Sequence, residues 1–404
     1  MSFKQAQIPE THYPRAVIPL KPTWSLLALL PTDRAGLPSI LDARYVRKVT
    51  SGRVAIAQAL LDSNIQPGDK VLLPAYHCTS MVEPVVWASA EPVFYKLQKD
   101  ALIDLKDIRS KLDDKTKVLI VTHYFGFHQD IIAIRQFCDE HKLVLLEDCA
   151  HGFFGRIEGQ AIGSFGDYAI ASTMKFFPIF DGGILASRKA AIKKFKLSSA
   201  GWKFQLKAAF NILEYALGYG RMRLIKWLLA LPLYLKDRLW QRIKQTRSED
   251  GNKDIGPGAS EGDYEFDPHW LNTSMSLPSR IGMVLCSKNR IITKRRRHYQ
   301  QLHQAWSGLK GCKPLFDTLP ENVVPYVYPL LIDEPESVFP ILKNQGVPIL
   351  RFGEYLWEGV DENTCAVTAD FSKRVFQFPC HQELKQKELQ WMINTVSKAI
   401  SDSR

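Results

Sequence analysis

From residue 51 onward, apolar and polar positions follow two alternating periods. SGRVAIAQALLDSN (51–64) repeats its apolar residues (Val54, Ile56, Ala57, Leu60, Leu61) at helical spacing, and Gly68 closes the segment. KVLLPAY then reads as a short buried strand. EPVFYKL, TKVLIVTHYFG and LVLLEDCAH read as further strands, separated by the helical patterns DLKDIRSKL and QDIIAIRQFCDEH. VLIV and LVLL are continuous apolar runs, as strands covered on both faces require. Short connections between alternating strands and helices predict an α/β domain with a mostly parallel sheet. DYAIAST and GGILASR add two strands around MKFFPIFD.

The pattern then changes. Residues 196–247 read as helical and rich in Lys, Leu and Trp, and 248–265 as a polar, Gly-rich loop. LPSRIGMVLCSKNRIITKRRRHYQQLHQAW (277–306) has the period of one long helix. VVPYVYPLLID and VPILRF read as strands, and ELKQKELQWMINTVSKAI as a closing amphipathic helix. The expected division is an N-terminal arm (1–45), a large α/β domain (46–195), a basic insertion with its loop (196–265) and a smaller α+β domain (266–404).

Composition adds two constraints. At 46% hydrophobic and 24% charged residues, the chain of 404 residues has the apolar content of a globular protein. Seven scattered cysteines, none in a CxxC pair, fit neither a disulfide framework nor a zinc site. No signal-peptide pattern opens the sequence and no apolar run is long enough for a spanning helix, so a cytosolic protein is expected.

The charge of +11 is local. Residues 188–247 hold fifteen Lys/Arg and two acids, a surplus of +13 that leaves −2 for everything else. The insertion has two readings: helices covering the cleft or a dimer contact with solvated charges, and peripheral contact of 203–245 with anionic lipid. Stacking aromatics are few and no nucleic-acid motif is present, so a nucleic-acid partner is not expected.

Three features fall where a parallel sheet places ligands. Ser51-Gly52-Arg53 opens a helix, where free N–H groups and the helix dipole suit a phosphate, although Ser-Gly is also a plain N-cap. Glu147-Asp148 ends a buried strand, where a carboxylate can hold a cationic ring nitrogen or a metal, or serve as a cap or ion-pair partner. Lys175 follows another strand among apolar neighbours; desolvation makes such an amine a usable nucleophile for Schiff-base chemistry. Asp148 lies 97 residues after Ser51, and Lys175 lies 27 residues after Asp148. A phosphate cradle, an acid and a lysine in one sheet suggest a pyridoxal 5′-phosphate site.

The strings SGRVAIAQAL, PGDKVLLPAY, EPVFY, THYFG, LLEDCAHGFFG, IGSFGDYAIAS and MKFFPIFDGG resemble the DegT/DnrJ/EryC1/StrS family of sugar aminotransferases. The likeness is strong over 51–185, weaker over 266–404 and absent over 196–265. It implies fold type I: a three-layer α/β/α domain with a smaller C-terminal α+β domain. It also implies pyridoxal phosphate as cofactor, with Lys175 as catalytic lysine and Asp148 on the pyridinium nitrogen. Ser172, Ser51, Gly52 and Arg53 match phosphate contacts. Asn272 resembles an asparagine reaching the phosphate of a neighbouring subunit, which implies a homodimer with shared active sites. The implied reaction passes an amino group, from glutamate in most relatives, to a nucleotide-linked keto-sugar for a polysaccharide or secondary metabolite.

The chain departs from the family pattern in places. SGR replaces SGT, His151 replaces a glutamine that reaches the phenolic oxygen, and Ser274 replaces an arginine. The Ser172–Lys175 spacing is two residues short. Cys78 stands where an aromatic stacks on the cofactor ring, with Tyr76 and His77 beside it to take that part. His123, His128 and His381 are further candidates near the cleft. The alternative to an active enzyme is a protein of this fold with a regulatory or membrane-associated role.

Overall fold

The computed structural model describes residues 13–30, 36–192, 195–222 and 266–403. A seven-stranded sheet runs in the order β1-β9-β8-β5-β4-β2-β3. Its strands are β1 (Tyr45–Val49), β2 (Lys70–Pro74), β3 (Glu91–Tyr95), β4 (Thr116–Thr122), β5 (Val144–Asp148), β8 (Tyr168–Ser172) and β9 (Gly183–Ser187). The remaining pair, β6 (Arg156–Ile157) and β7 (Gln160–Ala161), forms a separate ribbon. Strands β2, β3, β4, β5 and β8 are parallel, while β9 runs antiparallel between β8 and β1.

This arrangement explains the apolar runs. Val71 and Leu73 of β2 pack with helix α1 (Gly52–Asp62) on one face, whereas Leu72, Leu119 and Leu145 pack on the other. Both faces are therefore dry and period-two alternation disappears. The ends of β4, β5 and β8 bring Thr122, Asp148 and Ser172 to one edge.

A second sheet, β10-β11-β13-β12, is antiparallel: β10 (Cys312–Pro314), β11 (Val327–Ile332), β12 (Leu350–Arg351) and β13 (Val375–Pro379). Its apolar residues Tyr328, Leu330 and Phe376 share a core with Leu72 and Leu119 of the large sheet. The arm crosses this unit, where His381 Nε2 is 2.9 Å from the Pro19 carbonyl and Ser25 Oγ donates to Glu383 at 2.5 Å.

The long helix expected over 277–306 is two helices, Leu277–Leu285 and Lys288–Trp306. Ser287 divides them, because its Oγ accepts the Arg290 N–H at 3.3 Å and caps a fresh helix. The closing helix starts at Gln386 rather than 383. Within the basic insertion a helix spans Trp202–Gly218. Residues 223–265, and with them most of the expected membrane contact and the polar loop, lie outside the described residues. No helix among the described residues is long and apolar enough to cross a membrane.

Candidate active site

One cavity at the sheet edge is lined by Ser51, Gly52, Arg53, Cys78, Thr122, Asp148, His151, Ser172 and Lys175. Residues spread over more than 120 positions thus meet because parallel strands discharge their loops at one edge.

Ser51 is the N-cap of α1, with its Oγ accepting the Val54 N–H at 3.3 Å. Cap and cradle coincide: the capped helix aims its first N–H groups at the cavity. A Cβ at Gly52 would meet only Ile170 Cδ1, at 3.9 Å, so the missing side chain leaves the cradle open rather than relieving a clash. Gly183 packs beneath; a Cβ there would run into the Ser51 carbonyl and lie 2.8 Å from Gly52 N. Arg53 contributes charge, with Nη1 3.1 Å from Glu83 Oε2 in a largely buried pair.

Glu147 and Asp148 divide their work. Glu147 turns away from the cavity and accepts N–H groups of Gly163 (3.3 Å), Phe165 (2.7 Å) and Gly166 (2.5 Å). His123 Nδ1 accepts the Gln129 N–H at 3.1 Å, which leaves its proton on Nε2, 3.1 Å from Glu147. His123, Glu147 and Cys149 approach one another as metal ligands would, but these hydrogen bonds account for Glu147 and His123. Asp148 faces the cavity and accepts the Ala150 N–H at 2.8 Å. Burial raises its pKa, against an opposing pull from Lys175.

Several candidates are relocated. Tyr76 is fully buried among Tyr124, Phe352 and Phe371 and does not line the cavity. His77 is also shut away: Nδ1 donates to the Ala75 carbonyl (2.7 Å), Nε2 accepts the Trp357 N–H (3.0 Å), and its ring stacks on Phe94. Cys78 alone of that trio reaches the cavity, hydrogen-bonded to Ser80 at 2.9 Å. His123 has both ring nitrogens engaged away from the cavity, so a substrate role is not available to it. His128 packs against Gly155 and lies outside the cavity lining. Asn272 is exposed and outside this cavity; its carbonyl accepts the Ser198 N–H at 2.8 Å.

His151 is sandwiched between Phe125 and Tyr326. Burial first, and Lys175 second, push its pKa well below the ordinary value and keep the ring neutral. The Phe125 N–H donates to Nδ1 at 3.4 Å, leaving the Nε2 proton. Thr122, which the sequence did not single out, lines the cavity with a buried Oγ1 that has no hydrogen-bond partner among the described residues. Its signal was its place at a strand end beside Asp148 in register. An open N-terminal cradle, a buried acid, a neutral donor and an amine fit a phosphorylated pyridine aldehyde.

The comparisons with known proteins agree with this geometry. Residues 35–224 match the DegT/DnrJ/EryC1/StrS aminotransferase family. A GDP-perosamine synthase of Vibrio cholerae is 34% identical over 138 residues, covering 34% of this chain and 37% of that protein. The 3-oxo-glucose-6-phosphate:glutamate aminotransferase of Bacillus subtilis is 25% identical over 232 residues, 53% of this chain and 51% of that protein. The matches thus span about a third to a half of these relatives. Among solved structures, the aminotransferase TlmJ from Streptoalloteichus hindustanus superimposes with a TM-score of 0.62 at 19% identity, over 89% of this chain and 86% of that one. NtdA from Bacillus subtilis, solved with bound PMP, gives 0.62 at 16% identity over 89% and 74%. These likenesses show the fold.

Proposed function

Since residues 35–224 belong to the DegT/DnrJ/EryC1/StrS aminotransferase family, we propose that the chain transfers an amino group from glutamate to a nucleotide-linked keto-sugar, with pyridoxal phosphate as cofactor. The observation that carries the reading is the meeting of Lys175, Asp148 and the α1 N-terminus in one cavity. Among the relatives, the name of a 3-oxo-glucose-6-phosphate:glutamate aminotransferase supports glutamate and a keto-sugar, and the names of a UDP-sugar and a dTDP-sugar aminotransferase support a nucleotide-linked acceptor.

Bound pyridoxal phosphate supplies an electron sink for cleavage of a substrate C–H bond. The α1 N–H groups, the Arg53 guanidinium and the Ser51 and Ser172 hydroxyls would take the phosphate. The Asp148 carboxylate would hold a proton on the pyridine nitrogen, a charge–charge contact that a dry site strengthens. His151 Nε2–H would donate to the phenolic oxygen. Thr122 Oγ1 would offer a further hydrogen bond to the group. Lys175 Nζ would anchor the cofactor and would move the proton at the substrate carbon.

A homodimer with Asn272 reaching the partner's phosphate belongs to this reading, and the exposed position of Asn272 supports it. Seven unpaired thiols support a reducing, cytosolic setting. Polysaccharide assembly is a fitting destination for an amino-sugar product.

The test is a half-reaction. Glutamate added to the pyridoxal-phosphate-loaded chain should release one 2-oxoglutarate per active site and bleach the visible band, and Lys175→Ala should do neither. A folded, loaded chain that releases no oxo-acid from any amino donor would refute the aminotransferase reading.

A further inference from the structure

Arg295 is the one arginine among the described residues that is wholly inaccessible. It sits in the helix Lys288–Trp306, and its guanidinium lies 4.5 Å from the Phe176 ring centre. Among the described residues, none of its hydrogen bonds goes to a carboxylate. Nη2 donates to the Lys175 carbonyl (2.6 Å), Nη1 to the carbonyls of Tyr326 (2.7 Å) and Pro325 (3.2 Å), and Nε to Gln382 Oε1 (3.1 Å). Gln382 in turn donates Nε2–H to the Phe176 carbonyl at 2.8 Å. Two consecutive carbonyls, at Lys175 and Phe176, are therefore held by two side chains that also hold each other.

A buried cation without an anion is costly, and burial pushes the Arg295 pKa down to about 10. An apolar residue would be cheaper there if filling the core were the only task. The segment it holds is one short turn, Thr173–Lys175, followed by Phe176-Phe177. Phe176 and Phe177 N–H both return to the Thr173 carbonyl, so the carbonyls of Lys175 and Phe176 depend on outside donors. The donors come from the small-sheet side, where Pro325 and Tyr326 precede β11 and Gln382 follows β13. The Lys175 amine stands 5.3 Å from the ring centre of the same Tyr326.

We infer that Arg295 and Gln382 form a clamp that positions Lys175, fixing the backbone from which its amine reaches the cofactor. Arg295 is absent from the lining of the cavity that Ser51, Asp148 and Lys175 share, and so acts as a positioning residue. This rests on the reading of Lys175 as the cofactor-bearing amine.

The experiment compares Arg295→Met, Gln382→Leu and Arg296→Met with the unaltered full chain. Arg296 also donates to backbone carbonyls, those of Pro320 and Val323, but away from Lys175, and so controls for loss of a generic arginine clamp. One arm measures pyridoxal phosphate affinity by absorbance. The other measures acetylation of Lys175 in the cofactor-free chain by quantitative peptide mass spectrometry, relative to the other lysines. Loss of a charged hydrogen bond predicts affinity weakened about tenfold or more in Arg295→Met and by about threefold or more in Gln382→Leu. Lys175 acetylation should quicken at least about threefold in Arg295→Met as the turn loosens, and Arg296→Met should stay within about twofold on both arms.

If Arg295→Met does not fold, Arg295→Lys replaces it: a lysine reaches fewer carbonyls and should give a smaller shift of the same sign. A folded Arg295→Met with wild-type affinity and wild-type Lys175 acetylation overturns the clamp. An unaltered chain that binds no pyridoxal phosphate overturns the cofactor reading instead, and the acetylation arm still decides the clamp.

Discussion

Gly183→Ala isolates the phosphate cradle from the rest of the cofactor site. Gly183 begins β9 and pairs with Val49 on one side and Ser172 on the other, so its backbone has little freedom to retreat. The added methyl would run into the Ser51 carbonyl and lie 2.8 Å from Gly52 N. Ordinary carbon contacts are about 3.5–4.0 Å, so the Ser51-Gly52 turn must shift by roughly 1 Å. Overpacking of this kind costs about 1–3 kcal/mol of stability. Moving the helix N-terminus also forfeits a hydrogen bond to a charged group, about 1.5–3 kcal/mol, or roughly a tenfold to hundredfold loss of affinity. The assay is pyridoxal phosphate titration followed by absorbance, with thermal unfolding in parallel. Gly68→Ala is the control: its φ of 83° makes alanine strained, but nothing lies within 4 Å, so stability should fall by about 1 kcal/mol with affinity unchanged. A folded Gly183→Ala chain with wild-type affinity would refute the cradle.

Asp148→Asn should raise the melting temperature of the cofactor-free chain near pH 8. Burial raises the folded pKa of Asp148, so its ionised form is a penalty that fades as pH falls, and the difference between the two chains should shrink in acid. His77, His128 and His298 are lowered by burial from 6.5 to about 4, 3 and 4, so their stabilisation is complete above pH 6.5 and is lost as pH falls toward 4. These three protons, taken up only by the unfolded chain, amount to about 4 kcal/mol between pH 7.5 and 5.5. The buried His151 and His381, also pushed down, add to the loss in the same direction, measurable by urea unfolding at the two values. Glu147→Ala strands three backbone N–H groups and His123, and should cost about 3–5 kcal/mol in the same assay.

The sheet was legible because burial on both faces leaves unbroken apolar runs such as VLIV and LVLL, and the connections between them are short. Strand β1 (YVRKV) carried no such signal: two charges interrupt it, and it exists through pairing with β9. The helix pattern over 277–306 hid its break, since Ser287 acts through one side-chain hydrogen bond that leaves the apolar period intact. Among site residues, Asp148 and Lys175 were legible from strand ends and spacing, and His151 only through the family resemblance. The inward turn of Tyr76 and His77 was not, because adjacent residues on one loop point by packing partners that lie over 200 positions away, Phe352 and Trp357 among them. Arg295 carried no sequence signal at all, sitting within the basic run KRRR.

Reductive trapping asks most directly whether Lys175 bears the cofactor. The chain is loaded with pyridoxal phosphate, treated with borohydride, digested and mapped by mass spectrometry. One pyridoxyl group per chain on the peptide containing Lys175, absent after Lys175→Ala, is the predicted result. A folded chain that carries the group on another lysine, or takes none, would contradict it.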